Sequence, residues 1–216
     1  MARIRGLHAH LIQEQMKGVL AKHNYCFFDG QKPHNVNIIG IRNSEGRPNK
    51  FDDAVLVIYR DKSLQWVVDS YQITSDPGHY WLSNPLNVKG TAILCPDQYR
   101  GVYKIDKHQG KYDALCQRNG NVTVWRDHDR DLNHDMNDAT LDTGQFGINI
   151  HKAGSSSVQV NKWSAGCQVF KNGGDFNEFM QVIKVSSKRY SNSFTYTLLE
   201  SKNFNSYKQR RRSKWM

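Results

Sequence analysis

The chain has 216 residues, a formal net charge of +10, and a hydrophobic fraction of 38% with 11% aromatics. That is enough apolar material for one domain with a core, and no run approaches the roughly 18 apolar residues of a membrane-spanning helix. The charge points to acidic partners, but no helix-turn-helix, RNP motif or zinc finger accompanies it, which argues against sequence-specific nucleic-acid readout.

The first residues, Met1 to His8, carry charge but no apolar stretch with a small-residue cleavage site, so no signal peptide is expected. Leu7, Leu11, Ile12, Met16, Val19 and Leu20 then recur at helical spacing and predict a helix to Lys22. Strands are expected at Val36–Arg42, Ala54–Tyr59, Gln65–Val68, Thr91–Leu94, Tyr99–Ile105 and Asn121–Trp125. Turn clusters such as Asn43-Ser-Glu-Gly46 and Ser75-Asp-Pro-Gly78 separate them. A further strand is expected at Phe146–His151, with Phe146, Ile148 and Ile150 on one face. Phe176, Phe179, Met180 and Ile183 predict a short amphipathic helix over Asp175–Ser187, and Phe194–Leu199 a last strand. The expectation is a single mainly β (α+β) domain over residues 1–206, followed by a basic tail, 207–216, with Lys208, Arg210, Arg211, Arg212 and Lys214. Such a tail suits polyanion binding, or is simply solvated or ordered by a partner.

Four cysteines stand at wide spacings with no C-x-x-C, so neither a zinc ribbon nor a disulfide framework is expected. Cys26, Cys95 and Cys116 read as ordinary packing thiols. Cys167 is different. It follows Ser164-Ala165-Gly166, a small turn-forming sequence, and lies sixteen positions after His151 at the end of an apolar strand. Only a thiolate attacks a carbonyl, and a nearby imidazole can take the thiol proton. Ser164 can hold the turn, and N–H groups around Gly166 and Cys167 can face an oxyanion. A buried structural cysteine with an unrelated histidine is the competing reading of the same spacing.

Asp127, Asp129, Asp131, Asn133, Asp135 and Asp138 occupy relative positions 1, 3, 5, 7, 9 and 12, the spacing of an EF-hand calcium loop. Leu132 stands where that loop needs glycine and Asp138 where it has glutamate, so a solvated acidic turn competes with a Ca2+ site. His108, His128, His134, His151 and Cys167 are candidates to gather around zinc, with no spacing that fixes them. Tyr71, Tyr80, Trp81 and Trp163 are candidates for lining a sugar or peptide groove, or for ordinary packing.

The stretch His151 … Ser164-Ala165-Gly166-Cys167 resembles the catalytic motif of L,D-transpeptidases, the YkuD-type domains that act on peptidoglycan stem peptides. The resemblance covers about Thr91 to Phe170 and implies a β-sandwich with Cys167 as nucleophile, His151 as base, and Ser164 and Gly166 shaping the turn. It requires no cofactor. Ala165 replaces the family's histidine before Gly-Cys, Val169 replaces a polar residue, and Lys152 replaces glycine. Segments such as Asn35–Arg42, Thr74–Gly78 and Trp163–Val169 also resemble a group of bacteriophage proteins. That likeness implies a virion protein of the tail or baseplate, made in the host cytoplasm, with peptidoglycan and other tail proteins as partners and no membrane. Two functions follow as expectations: a thiol-dependent enzyme that cuts or exchanges stem-peptide bonds, or a structural tail component with a weakened site. An active site of this kind is expected to hold a Cys167 that alkylates at mildly acidic pH.

Overall fold

A computed structural model describes residues 1–155 and 157–204. The basic tail 207–216 lies outside the described residues. The chain runs β1 (Ala2–Arg5), α1 (Gly6–Lys22), β2 (Asn37–Arg42), β3 (Asp53–Arg60), β4 (Trp66–Thr74), α2 (His79–Ser83), β5 (Thr91–Leu94) and β6 (Gln98–His108). Then follow β7 (Tyr112–Gln117), β8 (Val122–Asp127), β9 (Asp142–Gly144), β10 (Ile150–Lys152), β11 (Gln168–Phe170), α3 (Gly173–Arg189) and β12 (Phe194–Glu200). The molecule is mainly β with a few helices, as its alternating apolar runs imply.

The large sheet has the order β1-β4-β11-β10-β7-β6-β12-β2-β3, and β3 pairs back onto β4. Eight strands therefore close into a barrel-like ring, and β1 adds beside the first half of β4. Closure leaves the ring without a free edge. β5, β8 and β9 form a separate three-stranded sheet.

Strand alternation sorts the side chains. Ile38, Val55, Val57, Val67, Tyr71, Leu115, Ile150, Phe170, Tyr196 and Leu198 join one cluster with residues of every strand in the ring. This is the interior, and Phe176, Phe179, Met180 and Ile183 of α3 pack into the same cluster. Their intermediate neighbours Ile39, Ile58, Trp66, Val68 and Leu199 face the other way and are covered by Ala9, Met16, Val19 and Leu20 of α1. The helical spacing of α1 thus matches an outer strip of the barrel.

The strand expected over Phe146–His151 is largely absent; only Ile150–Lys152 is extended and paired. The cause is Gln117, whose Oε1 accepts from the N–H groups of both Phe146 and Ile148 at 3.1 and 3.0 Å, while Gly147 turns to φ +72°. The segment still buries Ile148 and Ile150 in the interior, with Phe146 packed against them. The helix after Cys167 is longer than expected, seventeen residues, with Asn172 accepting from the N–H groups of Gly174 and Asp175 at its start. Among the described residues no helix is long and apolar enough to cross a membrane.

Candidate active site

The turn before Cys167 is tightly tied. Ser164, fully buried, donates its hydroxyl to the Cys167 carbonyl at 2.8 Å and accepts from the Gly166 N–H at 3.1 Å. Gly166 has φ +115°, and a Cβ there would collide with the Ala92 carbonyl oxygen. No other residue fits that backbone without strain. The Gly166 N–H is thereby engaged. Among the described residues nothing accepts from the Cys167 N–H, which makes it the free donor at the thiol.

β10 and β11 lie side by side and parallel, with His151 in register with Val169. Side chains alternate along a strand, so Cys167 and Val169, two residues apart, share a face with His151. Ile150 and Phe170 occupy the opposite face, toward the barrel interior. The thiol and imidazole are thus displayed on the outer wall. Both line one cleft of about 610 Å3, bordered by Trp81, Tyr112, Lys162 and Trp163 among others. Val169, Ala153, Val160 and Phe51 make a small apolar cluster beside it, against which Cys167 packs.

Hydrogen bonds assign the imidazole protons. His151 Nδ1 lies 3.0 Å from the Lys152 carbonyl oxygen. A carbonyl only accepts, so Nδ1 carries the proton and Nε2 keeps its lone pair, the form a general base needs. His108 stacks on His151 with ring centroids 4.1 Å apart and 18° between planes. Asn149 Oδ1 accepts from the Gln117 N–H at 2.9 Å, which turns its amide NH2 toward His108 Nδ1 at 3.1 Å. His108 Nδ1 therefore accepts, and the His108 proton sits on Nε2.

The electrostatics favour neutral groups. Burial pushes the Cys167 thiol up to about 11, only partly offset by the Asn149 N–H that reaches the sulfur at 3.4 Å. Burial, and then the neighbouring His108, takes His151 down to about 3. His108 is itself lowered, first by burial and then by Lys111 and Arg118. The sulfur's other hydrogen bond runs to the Gly147 carbonyl at 3.5 Å, and none joins it to an imidazole. At pH 7 the pocket thus holds a thiol and a neutral imidazole rather than an ion pair. The thiolate expected at mildly acidic pH is not the form this environment favours.

No protein-family model, curated protein or solved structure matches the chain. The site is therefore read from its own residues.

Three groups that matter here carry no local signal in the sequence. His108 enters the sequence reading only as one of five metal candidates, yet it is the ring stacked on His151. Asn149 joins thiol and imidazoles: its backbone N–H meets the sulfur, its carbonyl accepts from Gln168, and its side chain orients His108. Gln117 fixes Asn149 and the preceding loop from a distance of about thirty residues in sequence. Of the aromatic candidates, Trp81 and Trp163 border the cleft. Tyr80 packs edge-on against Trp81, and Tyr71 belongs to the barrel interior.

The acidic loop lies elsewhere. Asp127 is fully buried, with Oδ2 accepting from the Asp135 N–H at 3.0 Å and Oδ1 without a hydrogen-bond partner among the described residues; burial raises its carboxyl. Asp129 caps the Asp131 N–H, Asp131 accepts from the backbone and side chain of Asn133, and Asp138 accepts from Trp125 Nε1. These side chains are spent on the loop's own backbone and on Trp125. His134 sits 3.0 Å from the Pro77 carbonyl. Among the described residues no three His, Cys, Asp or Glu side chains converge as a group able to hold an ion.

A second buried polar network underlies the Cys167 turn. Arg42, 2% exposed, bonds to Ser75 Oγ at 3.1 Å and to the Leu94 carbonyl at 2.9 Å, with Asp76 Oδ1 at 2.8 Å from its Nε. Asp53 accepts from the N–H and hydroxyl of Ser75 at 2.6 and 2.8 Å. Burial and the Asp76 charge raise the Asp53 carboxyl. Gln168 connects this network to the turn: Oε1 accepts from Tyr196 at 2.7 Å, and Nε2 reaches the carbonyls of Ser75 and Gly166 at 3.3 and 3.5 Å.

Proposed function

We propose that the chain is a cell-wall-acting protein of a bacteriophage tail or baseplate, and that Cys167 cleaves or exchanges peptide bonds of peptidoglycan stem peptides. The observation that carries this reading is the placement of Cys167 and His151 on one face of adjacent parallel strands, lining one cleft. The likeness of His151 … Ser164-Ala165-Gly166-Cys167 to the L,D-transpeptidase motif supports it, as do the segments similar to phage proteins. On this reading the barrel-like ring is a divergent form of that family's sheet architecture.

The reaction starts from neutral groups. As Sγ attacks the peptide carbonyl, its proton passes to His151 Nε2, the nitrogen left with a lone pair by the Lys152 carbonyl. The Cys167 N–H stabilises the oxyanion, and His151 returns the proton to the leaving amine as the C–N bond breaks. Water then resolves the thioester in hydrolysis, or a second amine does so in exchange. A virion protein that crosses a wall gains from hydrolysis. Catalytic hydrogen bonds often tighten only with substrate in place, which accommodates the missing sulfur–imidazole bond.

That missing bond, together with the raised thiol, favours a second reading: a structural tail component with an idle site. Stem-peptide digestion separates the two. On the first reading the unaltered protein releases fragments from purified peptidoglycan, and Cys167→Ala releases none while keeping the same circular dichroism and melting temperature. Equal release by both proteins defeats the thiol mechanism, and no release by either leaves the structural reading.

A further inference from the structure

The cleft beside Cys167 carries charge of one sign only. Lys111 in the β6–β7 turn, Lys152 at the end of β10, and Lys162 before the Cys167 turn all border it, and no Asp or Glu does. The three come from separate segments of the chain. None forms an ion pair among the described residues. Lys152 and Lys162 instead rest their ammonium groups over the rings of Tyr112 and Tyr80, at 5.1 and 4.2 Å.

The nearby carboxylates are already taken. Asp113 is bound by Lys107 and Lys184, both at 2.7 Å, which hold it down to about 2. Asp142 is shared by Lys89 and Arg126, at 3.2 and 3.1 Å. A smaller depression of about 270 Å3 continues past Ala165 and is lined by Arg126, but that guanidinium is satisfied by Asp142 and stacked on Phe146. The uncompensated positive charge lining the cleft is therefore that of Lys111, Lys152 and Lys162. Cations without counterions around a partly enclosed cleft attract and orient an anion, and low-dielectric walls strengthen the effect.

We propose that the Cys167 cleft selects an acyl donor that bears free carboxylates, held by Lys111, Lys152 and Lys162, and discriminates against the same peptide with those carboxylates amidated. This rests on the thiol reading for the word donor, while the binding preference itself is independent of turnover. The preference thus divides stem peptides by the state of their carboxylates.

The test uses the full chain with Cys167→Ser, titrated calorimetrically with a synthetic stem tetrapeptide whose side carboxylates are free and with its carboxamide counterpart. The expected result is at least tenfold tighter binding of the carboxylate form, weakened by added salt. Each of Lys111→Gln, Lys152→Gln and Lys162→Gln should cost roughly three- to fivefold, as a partly exposed charge pair does. The triple variant should lose the preference while keeping its melting temperature. Equal affinity for the two peptides, no binding of either, or a preference that survives the triple change overturns the proposal. Turnover by the protein with its cysteine intact is read separately. A carboxylate preference without fragment release keeps the binding assignment and removes the thiol chemistry. Equal release from both peptides keeps the chemistry and removes the assignment.

Discussion

Two clusters of ionisable groups lie close together in this molecule and meet burial in opposite ways. Arg42, Asp53, Ser75 and Asp76 form a set in which Ser75 links the Arg42 guanidinium to the Asp53 carboxyl and Asp76 lies beside Arg42 as a counter-charge, while Arg42 Nη1 and Asp76 Oδ1 keep no hydrogen-bond partner among the described residues. Cys167, His151 and His108 are comparably enclosed but have only backbone groups, an amide and each other as partners. Burial without a counter-charge disfavours ionisation, so the second cluster is neutral, whereas in the first Arg42 lies against Asp76, and it is the Asp53 carboxyl that burial and the Asp76 charge raise. The comparison teaches that a Cys–His pair is not activated by proximity alone; what lies around it decides which proton state it rests in.

The contrast can be broken most severely from the paired side. Arg42→Leu removes the cation beside the partly buried Asp76 and the buried Asp53 and should cost about 3–5 kcal/mol, measured by urea unfolding. A loss under 1 kcal/mol would mean that Arg42 contributes nothing net to the network. Gly166→Ala attacks the joint between the clusters. The positive φ and the Ala92 carbonyl leave no room for a methyl group, so a loss of roughly 2–4 kcal/mol is expected in the same assay.

The unpaired side shows itself in pH dependence. The folded chain holds His151 down at about 3, far below the roughly 6.5 of an unfolded histidine. Its contribution is complete above the unfolded value. It is lost as pH falls through that window, because the unfolded chain takes up a proton that the folded chain refuses. Between pH 7 and pH 5 the unaltered protein should therefore lose roughly 2 kcal/mol more than His151→Gln. Parallel stability curves for the two proteins would show that the buried imidazole is not held neutral. A smaller effect is expected from Ser164→Ala, which removes two hydrogen bonds from the turn and should cost about 1–2 kcal/mol.

The parts of the fold that were legible in the sequence are those written locally. The helical spacing of Leu11, Met16, Val19 and Leu20 marks α1, and apolar, strand-like runs between turn clusters mark β2, β3 and β12, each within two residues. The ring was not legible, because its closure needs β4 to pair with both β3 and β11. β11 has only three residues and offers no period to read. β7 escapes for another reason: Ala114, Leu115, Cys116 and Gln117 are all buried, so polar and apolar residues do not alternate. At the site, Cys167, Ser164 and Gly166 are contiguous and announce themselves as a turn. His151 could be proposed from spacing, but its partner His108 comes from a different hairpin. Asn149 looks like any polar strand residue until Gln117 fixes which way its amide points.

The parallel pairing of β10 and β11 has one further consequence. Two parallel neighbours need a connection that travels back along the sheet, and here the chain between Lys152 and Gln168 supplies it, bringing Lys162 and Trp163 into the lining of the cleft. The turn between β6 and β7, with Lys111, lines the same cleft. Ala153, Val160 and Cys167 of the β10–β11 connection pack in their own small apolar cluster and not in that of the barrel interior. The β6–β7 turn, and the part of the connection that precedes Ser164, can therefore be exchanged to change what is recognised while the Ser164–Cys167 turn that seats the nucleophile stays.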